Sequence, residues 1–224
     1  MNTKMKKFTP TAFSLLNRLE INNSKSWFDA NRAEFDEYLL KPFARVLEET
    51  SEVLAETETP YFGGVKTMFR QHRDTRFSND KRPYKTNVSG LLTRTGTKKD
   101  KKPLIYLHLD TSGGFIASGC YGLETKDLYP IRANLISRSE EFSKVLRALN
   151  ESGLKFMTEG QLKTMPRDFK EEGDHIHAKY IKLKNYCVKR SLPKKSWIDG
   201  KIVSELLKIS EETGLLLKFL ESAK

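Results

Sequence analysis

A dense run of cationic side chains between residues 70 and 87 is the part of the sequence best suited to bind an anion. The predicted anion-binding residues of this run are Arg70, Arg73, Arg76, Lys81 and Lys85. A guanidinium group is planar and can contact a phosphate or carboxylate through two parallel hydrogen bonds. The run therefore predicts a site for a phosphate- or carboxylate-bearing small molecule.

The same segment contains residues that favour an anchored loop. Ser78-Asn79-Asp80 is typical of a turn, and Phe77 and Tyr84 are expected to fasten the loop to the body of the protein. Three further residues, Asp74, Asp80 and Tyr84, are predicted to hold the cations in place without contacting the ligand themselves. The two carboxylates would do so by orienting arginines. The alternative is that these charged residues pair with one another and serve only to stabilise a long loop, without binding a ligand.

The distribution of charge also indicates anionic partners. The 224-residue chain carries a formal charge of +11 at pH 7, and twelve basic residues lie between Lys66 and Lys102, against three acidic ones. Such an excess attracts phosphate esters, nucleic acids and acidic proteins alike. A nucleic-acid-binding surface formed by the basic segment 66–102 is therefore an alternative to a small-ligand site.

Past the N-terminal helices, the spacing of apolar residues becomes alternating, which is typical of strands. The predicted strands cover residues 65–72, 87–94, 104–110, 114–121 and 186–192. The third and fourth of these form a hairpin, for which we predict a register that pairs Asp110 with Gly114. This register brings Tyr106, His108 and Ser118 onto one polar face, where we expect them to line the pocket.

Helical spacing frames the strands at both ends of the chain. Thr9-Pro10 is a helix start, and an apolar stripe from Ile202 to Leu220 closes the chain. This order predicts an α+β fold, with a mostly antiparallel sheet packed against N-terminal and C-terminal helices. Because no linker or repeat is present, residues 1–224 are expected to form a single domain with its core over roughly residues 8–220.

Several other classes of protein are disfavoured by the sequence. No apolar run approaches the ~20 residues needed to cross a bilayer, and no apolar stretch follows the basic N-terminus as it would in a secretory signal. Two cysteines are too few for a disulfide framework. We therefore expect a cytoplasmic protein without membrane association, and we predict no metal site and no cofactor.

Longer motifs link the N-terminal helices to the cationic segment. They are Asn22-Asn23-Ser24-Lys25-Ser26-Trp27-Phe28, Arg73-Asp74-Thr75-Arg76-Phe77-Ser78, Asp80-Lys81, Pro83-Tyr84-Lys85-Thr86 and Ile131-Arg132. Together with the hairpin that leads to Gly119–Gly122, they resemble the bacterial and fungal domain-of-unknown-function family DUF2461. The resemblance covers roughly residues 8–220. It implies one compact α+β domain, adds Arg132 to the anion-binding residues, and implies no particular reaction.

Ligand binding is the function that these residues predict most directly, because it requires only positioned cations and shelter from water. A metal-independent phosphoester enzyme is a further alternative, with Asp74 or His108 as the proton acceptor. The sequence leaves open whether the protein is an enzyme, which ligand it binds and how many copies assemble.

Overall fold

The computed structural model describes residues 8–100 and 103–223, which contain nine α-helices and four strands. The helices are α1 (Pro10–Ile21), α2 (Lys25–Phe35), α3 (Lys41–Ala55), α4 (Thr125–Ser137), α5 (Ser139–Glu151), α6 (Ala178–Ile181), α7 (Lys194–Ile198), α8 (Ile202–Glu212) and α9 (Gly214–Glu221). The strands are β1 (Val88–Leu92), β2 (Leu104–Leu109), β3 (Phe115–Cys120) and β4 (Tyr186–Ser191). They form one antiparallel sheet in the order β1-β2-β3-β4, which confirms the predicted α+β class.

The N-terminal helices begin where the sequence supplies suitable residues. Pro10 occupies the first turn of α1, where its missing N–H costs no helical hydrogen bond. Ser24 caps α2 by accepting a hydrogen bond from the Trp27 amide at 3.3 Å. A single π-helical turn, Asp36–Leu40, joins α2 to α3. Within the described part of the chain, no helix combines the length and the apolar character that a membrane span requires.

The strand predicted over residues 65–72 is wrong. Val65–Thr67 instead forms a 3-10 turn, and residues 68–72 make only isolated bridges to other backbone. The Thr67 hydroxyl accepts a hydrogen bond from the Gly64 amide and donates one to the Gly64 carbonyl oxygen, each at 3.0 Å. Such local closure competes with a sheet, because it occupies the backbone groups that a strand would pair.

The hairpin between β2 and β3 forms as predicted, but its register differs by one residue. The turn is closed by a hydrogen bond of 3.2 Å from the Gly113 amide to the Asp110 carbonyl oxygen. Gly113 and Gly114 both have positive φ, at 123° and 108°, a conformation that residues with a Cβ rarely adopt. The His108 ring stacks on Phe115, with centroids 4.7 Å apart, whereas the predicted register set His108 opposite Ile116.

A shift of one residue exchanges the two faces of a strand. Phe115 therefore joins Tyr106 and His108, whereas Ser118 becomes fully buried. The prediction that Ser118 lies on the polar face is wrong for this reason.

The chain divides into two compact units. The first contains the chain up to Asp100, Tyr106–Ile116 and Ser191–Lys208, and the second contains the segment ending at Ile105, Ala117–Arg190 and the chain from Ile209. In the first unit, the Trp197 ring packs against Phe8 and Phe43. In the second, the Phe142 ring packs against His177 and Phe219. The expectation of a single domain stays a prediction, and it extends beyond the described residues at both ends.

Candidate anion-binding site

An open cavity of about 440 Å³ lies in the first unit. It is lined by Phe69, Arg73, Asp74, Lys85, Asn87, Ser89 and Tyr106. A volume of this size is typical of small-molecule sites, which range over roughly 300–1,000 Å³. The cavity thus brings together the predicted residues Arg73, Lys85, Asp74 and Tyr106.

Two stretches of backbone, residues 69–73 and 83–89, position most of the lining side chains. They run antiparallel and are joined by backbone hydrogen bonds of 2.8 to 2.9 Å. Lys85, Asn87 and Ser89, each two residues from the next, all line the cavity. Sequence reasoning missed Asn87 and Ser89, although their spacing of two residues from Lys85 is the signal that identifies them.

Lys85 lines the cavity, and no acidic side chain among the described residues pairs with it. Its ammonium nitrogen lies 5.2 Å from the centroid of the Phe69 ring. Within residues 8–100 and 103–223, its side chain makes no hydrogen bond and no ion pair. Burial lowers the pKa of Lys85, and the positive charges of Arg70 and Lys98 lower it further. A partly desolvated ammonium without a counter-ion is a favourable position for the negative charge of a ligand.

Arg73 also lines the cavity, but its guanidinium is already paired with a carboxylate of the loop, that of Asp80. Its Nη1 donates to Asp80 Oδ2 at 2.6 Å and to the Arg82 carbonyl oxygen at 3.2 Å. The Arg82 guanidinium pairs with Asp80 as well, at 2.8 Å. Hydrogen bonds from Arg82, and then from Arg73, hold the pKa of Asp80 well below its usual range. The ionised carboxylate therefore fixes the position of Arg73.

Arg76 is held by the second carboxylate of the loop. Its Nε and Nη2 donate to the two oxygens of Asp74 at 3.0 and 2.7 Å, and 76% of its side chain is exposed. These hydrogen bonds from Arg76 lower the pKa of Asp74. Lys81 donates to the Thr75 carbonyl oxygen at 3.1 Å, and Arg70 is exposed. Arg70, Arg76 and Lys81 do not line the cavity, and their part in ligand binding stays a prediction.

The loop is anchored by Tyr84 and not by Phe77. Tyr84 is buried, and its ring stacks on Phe28 with centroids 4.1 Å apart. The Asn23 side chain donates to the Tyr84 carbonyl oxygen at 3.0 Å and accepts from the Tyr84 amide at 2.9 Å. Phe77 is 96% exposed, so the prediction that it fastens the loop is wrong. It lies in the unpaired part of the loop, where the Arg76 guanidinium is 5.8 Å from its ring centroid.

Tyr106 connects the cavity to a polar series along β2. Its hydroxyl lies 2.9 Å from His108 Nδ1, and His108 Nε2 lies 3.5 Å from Asp110 Oδ2. Burial raises the pKa of Tyr106, while a hydrogen bond with Ser89 opposes that rise. Burial also disfavours the ionised form of Asp110, but hydrogen bonds from Ser112 outweigh it, so the pKa of Asp110 is lowered. An ionised carboxylate therefore faces His108, and His108 contacts Tyr106, which lines the cavity.

Arg132 and Ser118 belong to the second unit. Arg132 is buried, and its Nη2 donates to the Leu183 carbonyl oxygen at 3.0 Å. The Ser118 hydroxyl lies 2.7 Å from the hydroxyl of Thr213, which is also fully buried. Neither residue is among those that line the cavity, and a role in ligand binding stays a prediction for both.

A comparison with protein families matches residues 11–219 to DUF2461, described as "Conserved hypothetical protein". The chain belongs to this family. The resemblance carried by the Asn22–Phe28 and Arg73–Ser78 motifs is therefore confirmed, and all the residues that line the cavity lie within the matched range. Searches of curated proteins and of solved structures gave no match. DUF2461 membership names no reaction, so a function has to be inferred from the site itself.

Proposed function

We propose that the cavity binds the phosphate or carboxylate group of a small molecule, with Lys85 as the principal cation. The observation that carries this proposal is that Lys85 has no acidic partner within the described residues, while the charges that act on it come from Arg70 and Lys98. A ligand anion would supply the counter-charge that the surrounding side chains do not.

Apart from Asp74, whose carboxylate is paired with Arg76, the remaining residues of the cavity suit such a ligand. The Asn87 amide and the Ser89 hydroxyl can donate hydrogen bonds to anion oxygens. Arg73 adds a second cation, and its ion pair within the loop keeps the guanidinium in place. Phe69 offers an apolar surface to the uncharged part of the ligand.

Isothermal titration calorimetry with inorganic phosphate tests the proposal directly. We expect Lys85→Met to weaken phosphate binding roughly 10- to 150-fold, the equivalent of the about 1.5–3 kcal/mol that a charged hydrogen bond contributes. Lys41→Met is the matched control, because Lys41 carries the same charge in the same unit but pairs with Glu37 at 3.2 Å and does not line the cavity. Its affinity should stay close to that of the wild type.

Unchanged phosphate affinity in Lys85→Met would contradict the proposal. Equal losses in both variants would mean that overall positive charge, and not the cavity, attracts the anion. Repeating the titration with duplex DNA at two salt concentrations addresses the alternative of a nucleic-acid surface over residues 66–102, of which Lys101 and Lys102 lie outside the described residues. DNA binding that weakens steeply with salt and is insensitive to Lys85→Met would favour that alternative.

A further inference from the structure

The series Tyr106–His108–Asp110 is more than anion binding requires. A tyrosine hydroxyl alone could donate to a ligand, yet this one also contacts an imidazole that faces an ionised carboxylate. We propose that the cavity hydrolyses phosphate monoesters, with Tyr106 as the general base that accepts a proton from the attacking water. This inference rests on the proposed binding of a phosphate group at Lys85.

The direction of proton transfer follows from the position of Asp110. Ser112 fixes the Oδ1 atom of Asp110 through its amide, at 2.7 Å, and its hydroxyl, at 2.6 Å. The Oδ2 atom faces His108 Nε2, and of the two neutral tautomers its negative charge favours the one that carries the hydrogen on Nε2. Nδ1 is then the acceptor, so the Tyr106 hydroxyl donates to it. Stacking on Phe115, with an interplanar angle of 19°, keeps the imidazole in this orientation.

The reaction needs no reactants other than water and the phosphate monoester. The water oxygen bonds to phosphorus while the bond from phosphorus to the alcohol oxygen breaks. The water proton passes to Tyr106 Oη as the Tyr106 proton passes to His108 Nδ1. The alcohol oxygen leaves with the bonding electron pair and takes a proton from solvent, and His108 later returns its proton to solvent.

The charges that develop in this step are placed beside opposite charges. The imidazolium forms next to Asp110, and the negative charge on the phosphoryl oxygens grows beside Lys85 and Arg73. Tyr106 is the catalytic residue of the proposal, since it touches the reacting water. His108 and Asp110 act through it as positioning residues.

Release of p-nitrophenolate from p-nitrophenyl phosphate by the full chain tests the proposal. We expect kcat to fall about 100-fold or more in Tyr106→Phe and in His108→Gln, with a much smaller change in KM, because general base catalysis contributes typically 10²–10⁴-fold. Asp110→Asn should also lower kcat, by a smaller factor. Lys41→Met should keep full activity, because Lys41 lies outside the cavity, and Lys85→Met should lose it, which excludes a contaminating phosphatase.

Two outcomes would overturn this inference and leave the binding proposal intact. One is phosphate binding that depends on Lys85, together with p-nitrophenolate release no faster than in buffer. The other is a Tyr106→Phe variant that binds phosphate and retains the wild-type kcat. Should Tyr106→Phe fail to fold, His108→Gln and Asp110→Asn provide the same comparison, and wild-type kcat in both would refute the relay.

Discussion

Asn23 offers the sharpest test of how the fold holds the cavity in place. Its side chain forms two hydrogen bonds with the backbone of Tyr84, 61 residues further along the chain. These bonds join the start of α2 to the residue that precedes Lys85, and Tyr84 is almost completely buried. Asn23→Ala removes both bonds at once and leaves the Tyr84 amide and carbonyl without these partners.

The expected loss of stability can be estimated from these contacts. A buried backbone group that loses its hydrogen bond costs about 1–3 kcal/mol, so two such groups give roughly 2–4 kcal/mol when water partly replaces the asparagine. For a chain of this length, about 2–4 °C per kcal/mol converts this to a fall of roughly 4–16 °C in Tm. Urea unfolding followed by circular dichroism measures the free energy, and calorimetry measures Tm.

The neighbouring asparagine is the control. Asn22 donates to the Arg18 carbonyl oxygen at the exposed end of α1, so Asn22→Ala should change the free energy of unfolding by less than about 0.5 kcal/mol. If Asn23→Ala were as stable as Asn22→Ala, the two bonds to Tyr84 would not be what anchors the loop. In that case Lys85 would have to owe its position to the backbone pairing of residues 83–89 alone.

Two further predictions concern the charges and the buried hydroxyls. Because burial lowers the pKa of Lys85, this group binds fewer protons in the folded than in the unfolded state between that lowered pKa and the ordinary value of 10.5, so its contribution to stability rises with pH across that interval. Urea unfolding at pH 7 to 10 should therefore show that Lys85→Met is more stable than the wild type at pH 7 and that this difference shrinks as the pH rises. Ser118→Ala should lower the free energy of unfolding by about 1 kcal/mol, since it removes the bond to Thr213, and it should leave phosphate affinity unchanged; a loss of affinity with unchanged stability would instead place Ser118 in the binding site.

The elements that could be predicted from the sequence are those fixed by local spacing. Ser24 caps α2 by its own hydroxyl, and the alternation of Ile105, Leu107 and Leu109 appears as three buried side chains of β2. The wrong predictions, the strand over residues 65–72 and the hairpin register, arise where Thr67 or the adjacent Gly113 and Gly114 change the course of the backbone. Thr67 closes a turn on Gly64 and prevents the predicted strand.

The cavity was harder to predict, because distant parts of the chain build it. Tyr84 and Phe77 are both aromatic and seven residues apart, and no local pattern separates the anchor from the exposed ring. The difference comes from Asn23 and Phe28, which reach Tyr84 from the N-terminal helices. Contacts at that sequence distance leave no periodicity to read. The motifs shared with DUF2461 include these residues, but the motifs do not show that the residues contact one another.

The positive charge of the loop is also less available than its composition indicates. Asp74-Thr75-Arg76 and Asp80-Lys81-Arg82 adopt the same arrangement, in which the carboxylate accepts from both the amide and the guanidinium of the arginine two residues later. Each aspartate therefore offsets the arginine that follows it, and Asp80 also holds Arg73. Lys85 follows no such acid and lies in the paired stretch beyond the loop. The density of cations marks the region correctly, but the position of the nearest acid determines which cation is left for a ligand, and that distinction selects Lys85 over Arg76.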